Sequence, residues 1–186
     1  MNAALLEHQR LFANLHSIQA DVDDGFNVVK SAIMSGHKIL LCGNGGSAAD
    51  CQHFAAELVG KWKELRCALP AIALTTDTST ITAIANDLGY DQVFARQVLA
   101  HAKRGDVLIA ISTSGHSANV REALRVCHEQ GIASILLTGD SDCKHTGSRV
   151  IRVPSISTPR IQEVHAFILH TWAQRIDEYY QPWPET

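Results

Sequence analysis

The sequence predicts an α/β fold, a single domain built on a five-stranded parallel sheet flanked by helices. Three observations predict it. Short, continuously apolar runs recur along the chain, helical stretches separate most of them, and loops of glycine or hydroxyl residues follow the strongest ones. Such runs fit strands buried on both faces, as in a parallel sheet covered by helices. The length of 186 residues falls in the range of about 100–200 typical of one domain. Folding at that size buries roughly 70% of the unfolded chain's surface, so neither metal nor disulfide is needed to hold the core. We divide the chain into an N-terminal helical segment, residues 1–36, and an α/β core with its closing helix, residues 37–186.

Each element has its own warrant. Residues 2–20 and 23–35 read as two helices; in the first, Leu5, Phe12, Leu15 and Ile18 fall at helical spacing. Gly36 caps the second. Lys38–Cys42 is a first strand, followed by Gly43-Asn44-Gly45-Gly46-Ser47 and a helix from Ser47 to about Lys61. Ala71–Leu74 is a second strand, leading through a Thr/Ser-rich loop into helical segments that reach about Ala102. Val107–Ile111 is the strongest strand; Ser112–Ser117 is its loop and Asn119–Gln130 the next helix. Residues 134–137 and 150–153 complete the sheet. Pro159 then opens a long helix to about Tyr180, since proline is tolerated at a helix start.

Composition narrows the function. Apolar residues make up 46% of the chain and charged residues 19%, which excludes a disordered chain. No apolar run approaches the roughly 20 residues needed to cross a bilayer. The first residues carry charges through their apolar stretch, unlike a signal peptide. The net charge is −3 and basic residues form no run, so nucleic-acid binding is not expected. Five cysteines without a CxxC pair read as small buried hydrophobes in a reducing, cytoplasmic setting.

Two loops can hold an anion. In a doubly wound sheet, ligands sit where strand ends lead into helix N-termini. Asn44, Gly45, Gly46 and Ser47 occupy one such place. Glycines let backbone N–H groups approach closely, and the helix adds partial positive charge. The loop has neither GxGxxG spacing nor a P-loop lysine, and alone it could be a tight turn. Ser112, Thr113, Ser114, Gly115 and Ser117 occupy the other, where four hydroxyls precede a helix. They can cradle a phosphate without a basic residue, or merely cap the helix. The pair together points to a phosphorylated small molecule.

The chain's histidines are numerous, ten in all, and two of them bear on chemistry. His53 and Glu57 lie four apart on one helical face, where they can ligate a metal, transfer a proton or form an ion pair. His170 lies beside an apolar stretch, as a core histidine or as a catalytic one. A carboxylate and a histidine beside a phosphate cradle suit proton abstraction alpha to a carbonyl. His165 lies about 140° around the closing helix from His170, so the two do not share a role.

The segments CGNGGSAADCQHFAAELVGKW (42–62), AIANDLGYDQVFARQV (83–98), GDVLIAISTSGHSANV (105–120), LLTG (136–139) and RIQEVHAFILH (160–170) carry a resemblance. Over almost its whole length the chain resembles the SIS (sugar isomerase) family and, within it, the bacterial phosphoheptose isomerases. The resemblance implies an isomerase that converts sedoheptulose 7-phosphate to D-glycero-D-manno-heptose 7-phosphate through an enediol, the first step toward the heptose of lipopolysaccharide. It implies Glu57 as base and His170 as acid. It implies sugar-phosphate contacts from Ser47, Ser112, Thr113, Ser114 and Ser117, with Asn44, Gly45, Gly46, Asn86, Asp87, Glu57 and Gln162 as further substrate contacts. His53, Glu57, Gln162 and His170 match a zinc-binding set, one ion per subunit, and the implied assembly is a homotetramer with active sites between subunits. Gln162 and His170 stand about 12 Å apart along a straight helix, so a site shared between chains eases their meeting on one ion.

The chain departs from the family pattern at Lys61, His116 and Pro159, where arginine, asparagine and aspartate are usual. Lysine keeps the charge of arginine but not its bidentate fork. One branch of the same fold is non-catalytic and binds the replication initiator DnaA; it lacks the carboxylate and the closing-helix histidine, which favours the enzyme here. A sugar-phosphate-sensing regulatory domain is the third reading.

Overall fold

The computed structural model describes residues 2–143 and 145–180. The chain opens with helix α1 (Asn2–Ala13), a 3₁₀ turn (Leu15–Ile18) and helix α2 (Gln19–Met34). The helix expected over 2–20 therefore breaks at Asn14. Its carbonyl accepts both the backbone N–H of Ser17, at 3.1 Å, and the Ser17 hydroxyl, at 2.8 Å. Serine and asparagine compete with helical bonding in this way, and α2 starts at Gln19 instead of residue 23. Its other end is as expected. Gly36 takes φ +77°; its N–H donates to Ile33 O at 3.0 Å and that of His37 to Ala32 O at 2.9 Å, the paired bonds of a left-handed cap.

The sheet has strands β1 (Ile39–Gly43), β2 (Ala71–Ala73), β3 (Val107–Ile111), β4 (Ala133–Thr138) and β5 (Arg149–Arg152). Their order is β2-β1-β3-β4-β5 and every pair is parallel. β1 begins one residue later than predicted because Lys38 is held outside it: its N–H donates to Asp106 Oδ1 and its ammonium pairs with Asp106 Oδ2. The remaining helices are α3 (Gly46–Val59), α4 (Thr78–Leu88), α5 (Val93–His101), α6 (Ala118–Gln130) and α7 (Thr158–Asp177).

Side chains alternate between the two faces of each strand. Ile39, Leu41, Val107, Ile109 and Ile111 pack against α2, α3 and α7 through Phe26, Phe54 and Trp172. Leu40, Cys42, Leu108 and Ala110 pack against α5 and α6 through Phe94, Val98, Val120 and Leu124. Trp172 is wholly enclosed, its indole N–H donating to Val22 O at 3.2 Å. Helix α4 contrasts with these, for it buries none of its residues fully.

α7 stops at Asp177, short of the predicted Tyr180. The N–H groups of Tyr179 and Tyr180 return to Ile176 O and Asp177 O, so the last turn tightens to three-residue closures. Among the described residues no helix is long and apolar enough to cross a membrane. β1 leads into α3 on one face of the sheet and β3 leads into α6 on the other. Their adjacent ends form the crevice at which the strand order reverses, the place for a ligand in such sheets.

Candidate active site

Both loops open at this crevice. Gly45 precedes α3 with φ +56° and ψ −123°, a conformation closed to residues with a side chain. Gly43 is needed for space: a Cβ there would lie 3.0 Å from Ile111 O of the neighbouring strand and 2.9 Å from Ser47 Cβ. Ser47 and Ser112 are buried at the roots of their loops. The hydroxyls of Ser112 and Ser117 lie 3.0 Å apart, and the Gly115 N–H donates to Ser112 Oγ at 3.2 Å. Ser117 starts α6 without its side chain capping the helix, so the reading of this loop as an ordinary cap is not realised. Ser114 is exposed at the rim and Thr113 half-buried. The loop's departure from the family pattern, His116, points outward to Asp142 at 3.3 Å.

The loops are tied to each other. Asn44 Nδ2 donates to Asn119 Oδ1 and Asn119 Nδ2 donates to Asn44 Oδ1, both at 2.9 Å. Tyr90 Oη adds a bond to Asn44 Oδ1 at 3.2 Å. Asn119 is buried and was not foreseen as a site residue, although it lies inside the segment 105–120. Asn86 and Asp87 sit exposed near the end of α4, Asn86 Nδ2 donating to Asp87 Oδ1 at 2.7 Å. Tyr90, a few residues on, brings this end of α4 to the first loop.

The acid–base candidates meet between α3 and α7. Cys51, Phe54 and Leu58 turn one side of α3 into the core, and Glu57 is carried inward with them to 5% exposure. Glu57 Oε1 lies 3.2 Å from His53 Nε2 and 3.4 Å from His170 Nε2. Both carboxylate oxygens are buried without a hydrogen-bond partner among the described residues. Two environments oppose each other here. Burial pushes the Glu57 carboxyl above its ordinary range, His53 offsetting this in part and Asp177 adding to it. Burial, and then the nearby His53, hold His170 below the usual histidine value. The His170 ring lies between Trp62, at 4.8 Å and tilted, and His53, edge-on at 5.1 Å.

His165 is separate, as expected: it is fully buried, 3.4 Å from Thr138 O, and burial pulls its pKa down to about 4. Gln162 reaches the first loop, where its amide nitrogen would lie 2.6 Å from a Cβ at Gly46. Gly46→Ala is thus expected to displace Gln162 and lower kcat/KM roughly 10- to 100-fold, since a misplacement of about 1 Å can cost 10²-fold. Steady-state kinetics beside a melting curve will show a kinetic loss with little change in Tm.

The donor set suits a metal. One ligand atom from each of His53, Glu57 and His170 lies within 4.8 Å of the others, and zinc takes imidazole nitrogen and carboxylate oxygen in this combination. The orphaned Glu57 oxygens are what a cation would satisfy. The space beside them, lined by Asp50, Glu57 and His170, is about 10 Å³, the scale of one water or ion.

Two phosphate-type loops at the crevice of a doubly wound sheet, and a buried carboxylate beside a histidine farther along the helix that the first loop opens, are together the equipment of a sugar-phosphate isomerase. Comparison bears this out. Residues 7–139 match the SIS domain family. Phosphoheptose isomerase of Aliarcobacter butzleri is 52% identical over 175 residues, covering 92% of this chain and 93% of that one. A phosphoheptose isomerase structure from Neisseria gonorrhoeae superposes with TM-score 0.87 at 42% identity, covering 95% and 96%. One from Francisella tularensis gives 0.90 at 34%, with the same coverage. The chain belongs to the phosphoheptose isomerases of the SIS family.

Proposed function

We propose that the protein isomerises sedoheptulose 7-phosphate to D-glycero-D-manno-heptose 7-phosphate, opening the route to the heptose of lipopolysaccharide. The observation that carries this reading is Glu57: a carboxylate buried without a hydrogen-bond partner among the described residues, 3.4 Å from His170, and raised above the ordinary carboxyl range by burial, the direction a general base requires. The open-chain ketose places its phosphate against Ser112, Thr113, Ser114 and Ser117, with Ser47 and the N–H groups of the first loop beside it. Glu57 removes the proton from C1 and an enediol forms. His170 moves a proton from the C1 oxygen to the C2 oxygen. Glu57 returns its proton to C2, which leaves the aldose.

His53, Glu57 and His170 would hold a zinc ion, which supplies polarisation of the sugar oxygens when bound; Gln162, the fourth member of the set the resemblance implies, lies instead at the first turn of α3 and would join them only from another subunit. The residues beside the loops further favour a homotetramer with sites shared between subunits. α4 carries Asn86 and Asp87 yet buries no residue fully, and Leu88 and Tyr90 at its end are more than half exposed. A helix with so little packing of its own needs burial elsewhere. The five cysteines are all free, which suits work in a reducing cytoplasm.

The test is conversion of sedoheptulose 7-phosphate followed by NMR, with and without added zinc. Appearance of the aldose signals supports the reading. No conversion by folded protein under either condition overturns it.

A further inference from the structure

Helices α3 and α7 run side by side in the same direction. Gln162 lies beside Gly46, His170 beside Glu57, and Asp177 beside the segment that follows α3. At that last station sits Arg66, 3% exposed. Its Nη2 donates to the carbonyl of Glu57 at 2.7 Å and its Nη1 to those of Leu58 and Cys67 at 2.8 and 2.9 Å. Its Nε donates to Asp177 Oδ1 at 3.0 Å. The other Asp177 oxygen accepts the N–H groups of Lys63 and Glu64, at 3.1 and 3.4 Å. These two N–H groups follow directly on Trp62, the residue whose ring lies on His170.

We infer that Arg66 and Asp177 are positioning residues of the isomerase centre, a buried clamp that sets Glu57, His170 and Trp62 against one another. The chemistry favours this over a packing role alone. The last carbonyls of a helix lack internal partners, and a cation suits that end of its dipole. A backbone turn or water could fill the same need. Here a guanidinium does, and one of the carbonyls it takes is that of the base itself. Its counter-ion lies two turns of α7 beyond the acid, about 10 Å along the axis. The forked donor reaches both helices at once, which a lysine ammonium cannot do with the same geometry. A shift of either partner therefore moves Glu57 relative to His170 without touching either side chain.

The inference rests on the function proposed above, and its test separates the two. Arg66→Lys, Asp177→Asn and the double variant Arg66→Met/Asp177→Leu are compared with the parent for kcat, KM, Tm and zinc affinity by chelator competition. The double variant removes both buried charges, so it recovers stability that a single replacement loses. We expect kcat to fall at least tenfold in Arg66→Lys and in the double variant, with KM within about threefold, and zinc affinity to weaken about tenfold, as when groups supporting metal ligands are lost. Parental kcat and zinc affinity in either variant overturn the inference and leave the function standing. A parent that neither turns over the substrate nor takes up zinc overturns both.

Discussion

Glu57→Gln is expected to remove turnover almost entirely, by about 10³- to 10⁴-fold in kcat, at the upper end of what one acid–base group contributes. The amide keeps the shape of the side chain but cannot take the C1 proton. The same substitution is expected to stabilise the metal-free protein at neutral pH. Glu57 has a folded-state pKa above its unfolded one. Its contribution to stability is therefore fully present below the unfolded value and lost as pH rises through the folded value. As pH rises through that folded value the parent comes to hold an ionised carboxylate whose oxygens are buried without hydrogen-bond partners among the described residues; glutamine does not. Melting curves should show the variant above the parent at pH 7, with the gap closing as the solution is acidified. In turnover, the parent's rate should fall on the acid side at a pH above the ordinary glutamate range. Variant activity within tenfold of the parent would remove Glu57 from the role of base.

His170→Gln is expected to lower kcat by about 10²- to 10³-fold. Its lowered pKa keeps the imidazole neutral at physiological pH, with one nitrogen to donate and one to accept. That is the state a shuttle between two sugar oxygens requires. Glutamine can donate and accept but cannot exchange its proton. Single-turnover NMR in deuterated water checks this: C1 exchange by Glu57 should persist in the variant more than conversion does. Equal loss of exchange and conversion would place His170 in the proton-abstraction step as well.

The sheet was legible in the sequence because each strand is buried on both faces, so apolar residues run without interruption from Val107 to Ile111. The break at Asn14 was not, because apolar spacing continues through Leu15 and Ile18 while the bonds to Ser17 decide the backbone. The histidine and carboxylate of α3 could be placed on one face by spacing alone. That Glu57 turns inward while His53 stays exposed depends on α7, which packs over that face from residues far along the chain. Arg66 and Asp177, separated by 111 positions, leave no local pattern. Each reads as an ordinary surface charge until the two helices lie together. The separation expected between Gln162 and His170 along one helix is present, and the two do not meet within the chain. They address different ends of α3, Gln162 at its first turn and His170 at its last.

The mutual bonds of Asn44 and Asn119 decide when the entropy of ordering the two loops is lost. It is lost in folding, because the carboxamides close on each other within the chain itself. A ligand entering the crevice meets donors already fixed in place, so little of its binding energy goes to arresting backbone motion. The loop amides that already hold an acceptor, those of Ser47, Ser112 and Gly115, accordingly belong in the free protein with the slowly exchanging sheet rather than with the surface turns.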